Sequence, residues 1–458
     1  MIYTLMEDID IHPGLLLNGN KYLLIKQIGK GKNAIVSICY SLTNNKFLAL
    51  KMQHPHCYID GAREINILQE IVPQLKPSSN LSPSRSRLDS LQIHETPNQY
   101  CIKLLDYFIH TIEEDKYVCT IYDLFAGCLD SLLEKGRYEY GLPIHIVKRM
   151  TKQILLGLSK IHESKVIHTD IKPANILLYG ITDKHEQIIR DFCETGFIKR
   201  FSTMCRWSED YQEALHALAT ECTLSFHEAP VVSSDDDSDD RDLSEDEREQ
   251  SVEDVSDSEE DIYDLDASYS FTKVRNYRYD SDDHDEVIPE CYVRNSSVVI
   301  TDFGNSYLHD ERPRDEIQDR TYRAPEVILD LNYSYGCDIW SLGCTIFELL
   351  TGRALMTVYK NELNYDLNQL YLMEKLFGYI PDVMRKMSKR SKYLFDPERD
   401  YEIRSVYDHD VVGLERVLRD QHLFSKKDSK QISSFLNKIF VYRNRPSAQD
   451  LLNDAWLN

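Results

Sequence analysis

No stretch of the 458-residue sequence approaches the ~18 consecutive apolar residues that a helix needs to span a bilayer. The 11 cysteines form no Cys-x-x-Cys pair and no Cys/His cluster at metal-ligand spacing. A disulfide framework and a zinc site are therefore not predicted. Residues 1–10 carry acids where a signal peptide carries basic residues and an apolar run. These absences predict no membrane partner and an intracellular location, in the cytoplasm or also in the nucleus.

Basic residues are too few to balance the acids: 53 Lys and Arg face 76 Asp and Glu, which gives a net charge of −23. Residues 235–266 alone hold 18 acids and two arginines, a net charge of −16, so the rest of the chain carries −7. This distribution disfavours direct binding of nucleic acid. Hydrophobic residues make up 42% of the chain, enough for a sizeable core, and the length allows two or three domain-sized units.

The first third of the chain alternates like a small sheet that carries one helix. Turn residues at Gly29–Gly31 and Thr43–Lys46 separate the first strand-like segments. Later segments show helical spacing of apolar residues. The predicted strands are residues 22–28, 34–40, 47–52, 102–109 and 117–124, and the predicted helices are residues 61–71, 147–163, 337–350 and 368–377.

A long interruption from about residue 182 to residue 294 separates two parts of the helical region. Its first part, to about Phe226, keeps apolar residues and includes a predicted helix near Tyr211–Cys222. Residues 228–290 are so charged and so poor in apolar residues that disorder is predicted there.

The stretch from His168 to Asn175 follows the predicted helix 147–163 and lies between two apolar segments. It offers an acid, a cation and an amide within one short loop. Asp170 can accept the proton of a hydroxyl nucleophile, Lys172 can neutralise phosphate charge, and Asn175 can ligate a metal. Taken alone, the stretch also fits an ordinary polar turn after a helix.

A glycine-containing turn near the start of the sheet is a second candidate. Gly29 and Gly31 allow a close approach of the backbone to phosphate oxygens, although an ordinary hairpin turn has the same pattern. Lys51 ends the third predicted strand, and Glu64 on the following helix is the anion that can hold it.

Together these motifs resemble those of protein kinases, in the same order and with compatible spacing. The loop at 168–175 is similar to the kinase catalytic loop, and Ala49-Leu50-Lys51 to the strand that grips the nucleotide phosphates. Asp302-Phe303-Gly304 resembles the motif whose acid ligates Mg²⁺, and Ala324-Pro325-Glu326 the end of an activation segment. The resemblance implies that Glu326 pairs with Arg445 and that Asp338 braces the catalytic loop.

The resemblance implies an α+β, bilobal fold with a β-rich N-lobe, a helical C-lobe and a long acidic insertion in the C-lobe. Tyr122 would lie near the gatekeeper position, at the back of the nucleotide site. The implied regions are an N-terminal extension (1–20), the N-lobe (21–125), the first part of the C-lobe (126–180), the insertion (181–294) and the second part of the C-lobe (295–458). The implied ATP-binding residues are Ile28, Gly29, Lys30, Gly31, Lys32, Asn33, Ala34, Val36, Ala49, Lys51, Glu64, Asp123 and Leu124, and Asn175 and Asp302 would bind Mg²⁺.

Within the kinases, the sequence is most similar to the SR-protein kinase family of the CMGC group. Thr169 replaces the usual Arg of the catalytic loop, as in that family, and the insertion falls at the family's position. That Arg normally clamps a phosphate on the activation segment. Residues 310–323 offer only Thr321 and Tyr322 as phosphate acceptors and already carry Asp315 and Glu316. Activity without phosphorylation of this segment is therefore expected.

Four positions depart from the pattern of the SR-protein kinases. Ala174 replaces an acid that reads arginine near the target serine. Asp319 replaces a threonine that bonds the catalytic acid and lysine, and could crowd Asp170 electrostatically. Asn368 and Lys375 stand where the family has acids in a docking groove. Although Asp366 and Glu374 lie nearby in the sequence, strict docking of Arg-Ser substrates is in doubt.

The resemblance implies Ser/Thr phosphorylation of protein substrates, Arg/Ser-rich ones among them, by a monomer. Two alternatives stay open. Arg323 matches the residue that shapes the CMGC pocket after the target serine, so a proline-directed CMGC kinase is one alternative. The other is a catalytically weak scaffold that binds basic partners through its acidic insertion.

Overall fold

A six-stranded antiparallel sheet forms most of the N-lobe, with strand order β1-β2-β3-β4-β6-β5. The computed structural model describes residues 13–71, 97–134, 137–204, 206, 210–227, 288–311, 316–357, 365–403 and 411–458. The strands are β1 (Leu16–Leu17), β2 (Tyr22–Lys30), β3 (Ala34–Ser41), β4 (Lys46–Gln53), β5 (Asp106–Ile112) and β6 (Asp115–Tyr122).

Two strand boundaries differ from the sequence prediction. Leu16 and Leu17, assigned to the N-terminal extension, pair with Leu23 and Tyr22 of β2. The strand predicted at 102–109 begins only at Asp106. The residues before Asp106 contact the C-lobe instead. Cys101 forms an isolated β-bridge with Ile300, and the Ile102 N–H donates to the Ile300 carbonyl, 2.9 Å away.

One helix, α1 (Tyr58–Ile71), packs on this sheet and buries Glu64, Ile65, Leu68 and Ile71. Gly61 allows the close approach. A Cβ there would overlap the Gln53 side chain and lie 2.9 Å from the Cβ of Val118. The glycine therefore fixes the distance between α1 and the strand that carries Lys51.

The C-lobe is helical around α9 (Gly336–Thr351), in which all residues from Cys337 to Thr351 are buried. A helix that is apolar nearly all round belongs in a core. α9 packs against α3 (Ile144–Glu163) and α14 (Lys426–Ile439). The other C-lobe helices are α2 (Leu129–Glu134), α8 (Pro325–Ile328), α10 (Tyr365–Phe377), α11 (Asp382–Met387), α12 (Ser391–Leu394), α13 (Leu414–Asp420) and α15 (Ala448–Leu451).

Short strands in the C-lobe hold the loops of the cleft. A three-stranded sheet has the order β10-β9-β7, and two strand pairs join β11 to β8 and β12 to β13. Both β9 and β8 adjoin the stretch 168–175, so the sheets fix its two ends. The strands are β7 (Phe125–Cys128), β8 (Val166–Ile167), β9 (Ile176–Tyr179), β10 (Val298–Ile300), β11 (Tyr307–Leu308), β12 (Phe395–Asp396) and β13 (Glu402–Ile403).

The first part of the insertion folds onto the N-lobe. Its helices are α4 (Asp183–Glu194), α5 (Phe197–Thr203) and α6 (Tyr211–His227). Their apolar residues share one core with β2 and β3, and Phe192 packs on Tyr40 and Phe47 with ring centroids 6.3 and 6.0 Å apart. The helix predicted at Tyr211–Cys222 is thus confirmed and extends to His227, whereas α4 and α5 were not predicted.

The insertion returns to the C-lobe through α7 (Glu290–Asn295), where Arg149 Nη2 of α3 donates to the Val293 carbonyl, 2.6 Å away. Disorder was predicted to residue 290, but Ile288 is buried and Glu290 begins α7. The remainder of that prediction, residues 228–287, lies outside the described residues. Within the described part of the chain, no helix has the length and apolar character to cross a membrane.

Candidate active site

Lys51 of β4 joins both lobes in the cleft between them. Its Nζ lies 3.0 Å from each carboxylate oxygen of Glu64 on α1 and 3.4 Å from Oδ1 of Asp302. Burial alone lowers the pKa of Lys51, but the charges of Glu64 and Asp302 outweigh it, and the net pKa is raised. Lys51 is therefore a cation between two acids; its contact with Glu64 was predicted from the sequence, whereas its contact with Asp302 was not.

Gln53 has a role in this cluster that the sequence analysis missed. Its Nε2 donates to Oε2 of Glu64 over 2.7 Å, and Glu64 is 1% exposed. Two residues apart on one strand, Lys51 and Gln53 point to the same face of the sheet. This spacing was a readable signal that both side chains hold the same carboxylate.

The catalytic loop follows β8 directly, and Asp338 at the start of α9 binds its backbone. Oδ2 and Oδ1 of this fully buried acid accept hydrogen bonds from the N–H groups of His168 and Thr169, both at 2.8 Å. His162 Nε2 lies 2.9 Å from Oδ2 of Asp338. Thr169 has a left-handed backbone, with φ of 66°, which the two N–H contacts stabilise. The predicted bracing role of Asp338 is confirmed.

Three predicted catalytic side chains meet in this loop. Asn175 Nδ2 donates to Oδ2 and to the carbonyl of Asp170, both at 2.8 Å. Lys172 Nζ lies 3.1 Å from Oδ1 of Asp170 and 3.5 Å from Oδ2 of Asp319. Lys172 thus contacts both acids, which offsets the crowding of Asp170 expected from Asp319.

Asp302 follows β10 and also has a left-handed backbone, with φ of 65°. The Lys51 ammonium holds the pKa of Asp302 below its usual range against the opposing effect of burial, so this acid is ionised at neutral pH. Its side chain is 44% exposed to the cleft. His168 supports the motif from behind, with its ring 4.8 Å from that of Phe303.

The predicted nucleotide-binding residues line the roof and back of the same cleft. The turn between β2 and β3 is closed by the Gly31 N–H, which donates to the Ala34 carbonyl over 2.8 Å. Ala49 pairs with Tyr122 across β4 and β6, at the predicted gatekeeper position. Asp123 and Leu124 connect β6 to β7 and so join the lobes. In the turn, Lys30, Lys32 and Asn33 are exposed, while Ile28, Gly29, Gly31, Ala34 and Val36 are partly buried.

The activation segment is fixed at both ends. Near its start, Thr169 Oγ1 donates to the Asn305 carbonyl over 2.7 Å. At its end, Arg445 pairs with Glu326 through both guanidinium nitrogens, one contact measuring 2.8 Å, as predicted. Tyr322, which the sequence analysis counted as a phosphate acceptor, is buried and donates to Oε2 of Glu348 over 2.6 Å. Residues 312–315, including Asp315, lie outside the described residues.

The acids of α10 are already paired inside the protein. Asp366 binds Arg320 at 3.2 Å and Arg390 at 2.6 Å. Glu374, 4% exposed, binds Nη2 of Arg385 at 2.7 Å and accepts a hydrogen bond from the Ile380 N–H. The sequence left open whether these acids compensate for the missing groove acids; in the structure both are already paired with arginines. Ala174 is exposed and adds no charge.

Comparison with known proteins agrees with this geometry. A sequence model of the protein kinase domain matches residues 87–211 and 279–457. Protein L205 of Acanthamoeba polyphaga mimivirus, which carries a serine/threonine-protein kinase name, is 39% identical over 99% of this chain and 90% of its own length. Serine/threonine-protein kinase SRPK of Physarum polycephalum is 27% identical over 81% of this chain and 74% of its own. Protein kinase dsk1 of Schizosaccharomyces pombe is 25% identical over 98% and 82%. The chain therefore belongs to the protein kinase family, as a serine/threonine kinase whose relatives include SR-protein kinases.

Proposed function

We propose that this serine/threonine kinase uses ATP with Mg²⁺ and works without phosphorylation of its activation segment. The proposal rests on the contacts among the charged side chains of the cleft. Lys51, Glu64 and Asp302 are in contact, and Asp170, Lys172 and Asn175 form a second connected set. Both sets are formed entirely by the chain's own side chains, and neither Thr321 nor Tyr322 takes part in them.

The donor set of the cleft fits Mg²⁺, which prefers hard oxygen ligands. Asp302 offers a carboxylate, 44% exposed, and Asn175 offers its amide oxygen because its NH₂ group is bonded to Asp170. Mg²⁺ held there would neutralise charge on the phosphate oxygens of ATP. Lys51 would bind the α- and β-phosphates, and the turn from Ile28 to Ala34 would cover them.

Phosphoryl transfer needs the substrate hydroxyl to be oriented and deprotonated. Asp170 is held by Asn175 and accepts that proton while the hydroxyl oxygen bonds to the γ-phosphorus. The bond from the γ-phosphorus to the bridging oxygen breaks, and ADP leaves with the electron pair. Lys172, next to Asp170, stabilises the charge on the transferred group.

The activation segment has little need of a phosphate. Thr169 leaves no arginine in the catalytic loop to bind one, and its hydroxyl already bonds the Asn305 carbonyl. Tyr322 is buried, so Thr321 is the acceptor left from the predicted pair. The test compares turnover before and after phosphatase treatment, with intact mass confirming removal. We expect equal rates, and loss of turnover when EDTA removes Mg²⁺. A large loss after phosphatase treatment would contradict the proposal.

For the substrate, we propose Arg/Ser-rich proteins, bound more weakly than the family resemblance implies. The family resemblance supports Arg-Ser recognition. However, Ala174, Asn368 and Lys375 stand where the family has acids. The nearby acids Asp366 and Glu374 are already paired with arginines of the protein. A well-formed charge-assisted contact contributes on the order of 1.5–3 kcal/mol, so losing two or three should lower the preference at least tenfold.

Initial rates on Arg-Ser and Ser-Pro peptides at low and physiological ionic strength test this substrate class. We expect an Arg-Ser preference that falls steeply with salt, because the remaining attraction is long-range and screened. A strong, salt-insensitive Arg-Ser preference would contradict the weak groove. A Ser-Pro preference would favour the proline-directed alternative, for which Arg323, bonded to Glu316 and to the Gln318 carbonyl, is the supporting residue.

A further inference from the structure

Arg63, the residue that precedes Glu64 on α1, contacts the activation segment. Its guanidinium forms an ion pair with Glu311 and lies 4.2 Å from the ring centroid of Tyr307. The same oxygen of Glu311 accepts a hydrogen bond from the Leu308 N–H over 3.3 Å. Arg63 therefore makes two different contacts with one short part of the segment, an ion pair and a cation–π contact.

This cluster connects the three parts of the active site. Tyr307 pairs with Ile167 of β8, and β8 leads directly into His168 and the catalytic loop. The His309 N–H donates to the Lys165 carbonyl over 2.8 Å, which fixes the same strand pair. Through Arg63, the helix that carries Glu64 is thus attached to the segment that follows Asp302 and to the strand that precedes Asp170.

We propose that Arg63 and Glu311 are positioning residues that keep α1 in place, so that Glu64 stays on Lys51. Glu311 supplies, from within the chain, the negative charge that a phosphate on the segment would otherwise supply. The inference rests on the proposed activity without phosphorylation and names the contact that makes it work.

The location of Arg63 explains why its contact matters for chemistry. Glu64 and Gln53 attach α1 to the N-lobe sheet, so those bonds move with the lobe. Arg63 attaches the same helix to the C-lobe side, where Asp302 and Asp170 lie. Without it, α1 can separate from the activation segment, and the fraction of molecules with Lys51, Glu64 and Asp302 joined falls.

The test uses charge reversal with rescue, in phosphatase-treated protein. Arg63→Glu and Glu311→Arg should each lower kcat about five- to twentyfold, from the loss of an exposed ion pair and a cation–π contact plus new repulsion, with the KM for the peptide unchanged. The double variant, Arg63→Glu with Glu311→Arg, restores the ion pair in reverse and should recover kcat to within about threefold.

Arg200→Glu is the matched control. It breaks another exposed ion pair, Arg200–Glu221 at 2.6 Å, on helices of the insertion, and should leave kcat unchanged. Thermal unfolding checks that each variant is folded. Loss of wild-type activity after phosphatase treatment would contradict the proposed function itself. Active wild type with unaffected single variants, or a double variant no faster than the singles, would overturn the role of Arg63 and Glu311.

Discussion

Carboxylates of the cleft and of α10 are all paired with cations, yet they serve different ends. In the cleft, Asp302 contacts Lys51 while its side chain stays 44% exposed. On α10, the side chains of Asp366 and Glu374 are only 12% and 4% exposed, and arginines cover them. The partner and the remaining exposure of a carboxylate, rather than its presence alone, therefore decide whether it can bind a ligand.

The largest expected effect comes from Asp170→Asn in the cleft. The variant keeps the shape and most hydrogen bonds but cannot accept the substrate proton, so kcat should fall by roughly 10²–10³ or more. Peptide phosphorylation under saturating ATP measures it, with thermal unfolding as the check on folding. Turnover close to that of wild type would remove Asp170 from the catalytic role.

Glu374→Gln should have the opposite profile, a loss of stability without a loss of chemistry. Arg385, 4% exposed, would keep its charge without a charged partner, which lowers the free energy of unfolding by about 3 kcal/mol. Denaturant unfolding measures the change, and kcat per folded molecule should stay constant. The control is Asp382→Asn, in an exposed pair with Lys386, which should change stability little. Unchanged stability would mean that the buried pair is not structural.

Glu64→Gln tests the other buried acid, this time in the cleft. It replaces a charge-assisted contact to Lys51 by a neutral one, so kcat/KM for ATP should fall about ten- to a hundredfold, equivalent to roughly 1.5–3 kcal/mol. Glu70→Gln, at an exposed position of the same helix, is the control and should leave the rate unchanged. An equal effect of both variants would point to general damage of α1 instead.

The smallest expected effect is a gain at α10. Lys375→Glu places an acid where the family resemblance implies a groove acid, and the rate on an Arg-Ser peptide relative to a Ser-Pro peptide should rise about two- to fivefold at low salt. The gain should vanish at high ionic strength. Lys427→Glu, an exposed charge reversal on α14, controls for net charge. Equal gains in both variants would show that α10 has no special part in docking.

The residues of the cleft could be predicted from sequence because their motifs are local. Asp170, Lys172 and Asn175 lie within six positions of one another, and one short loop brings them together. The state of the α10 acids could not be predicted in this way. Arg385 and Arg390 come from a later part of the chain, and only the packing of the helices after α10 brings them to Glu374 and Asp366.

The insertion shows the same limit. The helix α5 has only seven residues, too few for a helical pattern to be recognised, whereas α4 has 12 residues and one apolar face on an otherwise polar helix. Packing of Phe192 and Phe197 against Tyr40 on β3 stabilises them. Tertiary contacts of this kind are absent from local sequence patterns, which accounts for α5, whereas the one apolar face of α4 and its N-cap Thr182 were signals in the sequence that were overlooked.

The docking of α4, α5 and α6 on the N-lobe has a consequence for the opening of the cleft. ADP must leave after each turnover, and the two lobes must separate for it to do so. Because the three helices share a core with β2 and β3, they would rotate with the N-lobe, although the chain enters them from β9 of the C-lobe. The chain passes from β9 to α4 through residues 180–182, where Gly180 has a φ of 141° that other residues rarely adopt, and we expect the bend there. A side chain at this glycine would meet the ring of Tyr292 at 2.7 Å and would be expected to slow product release.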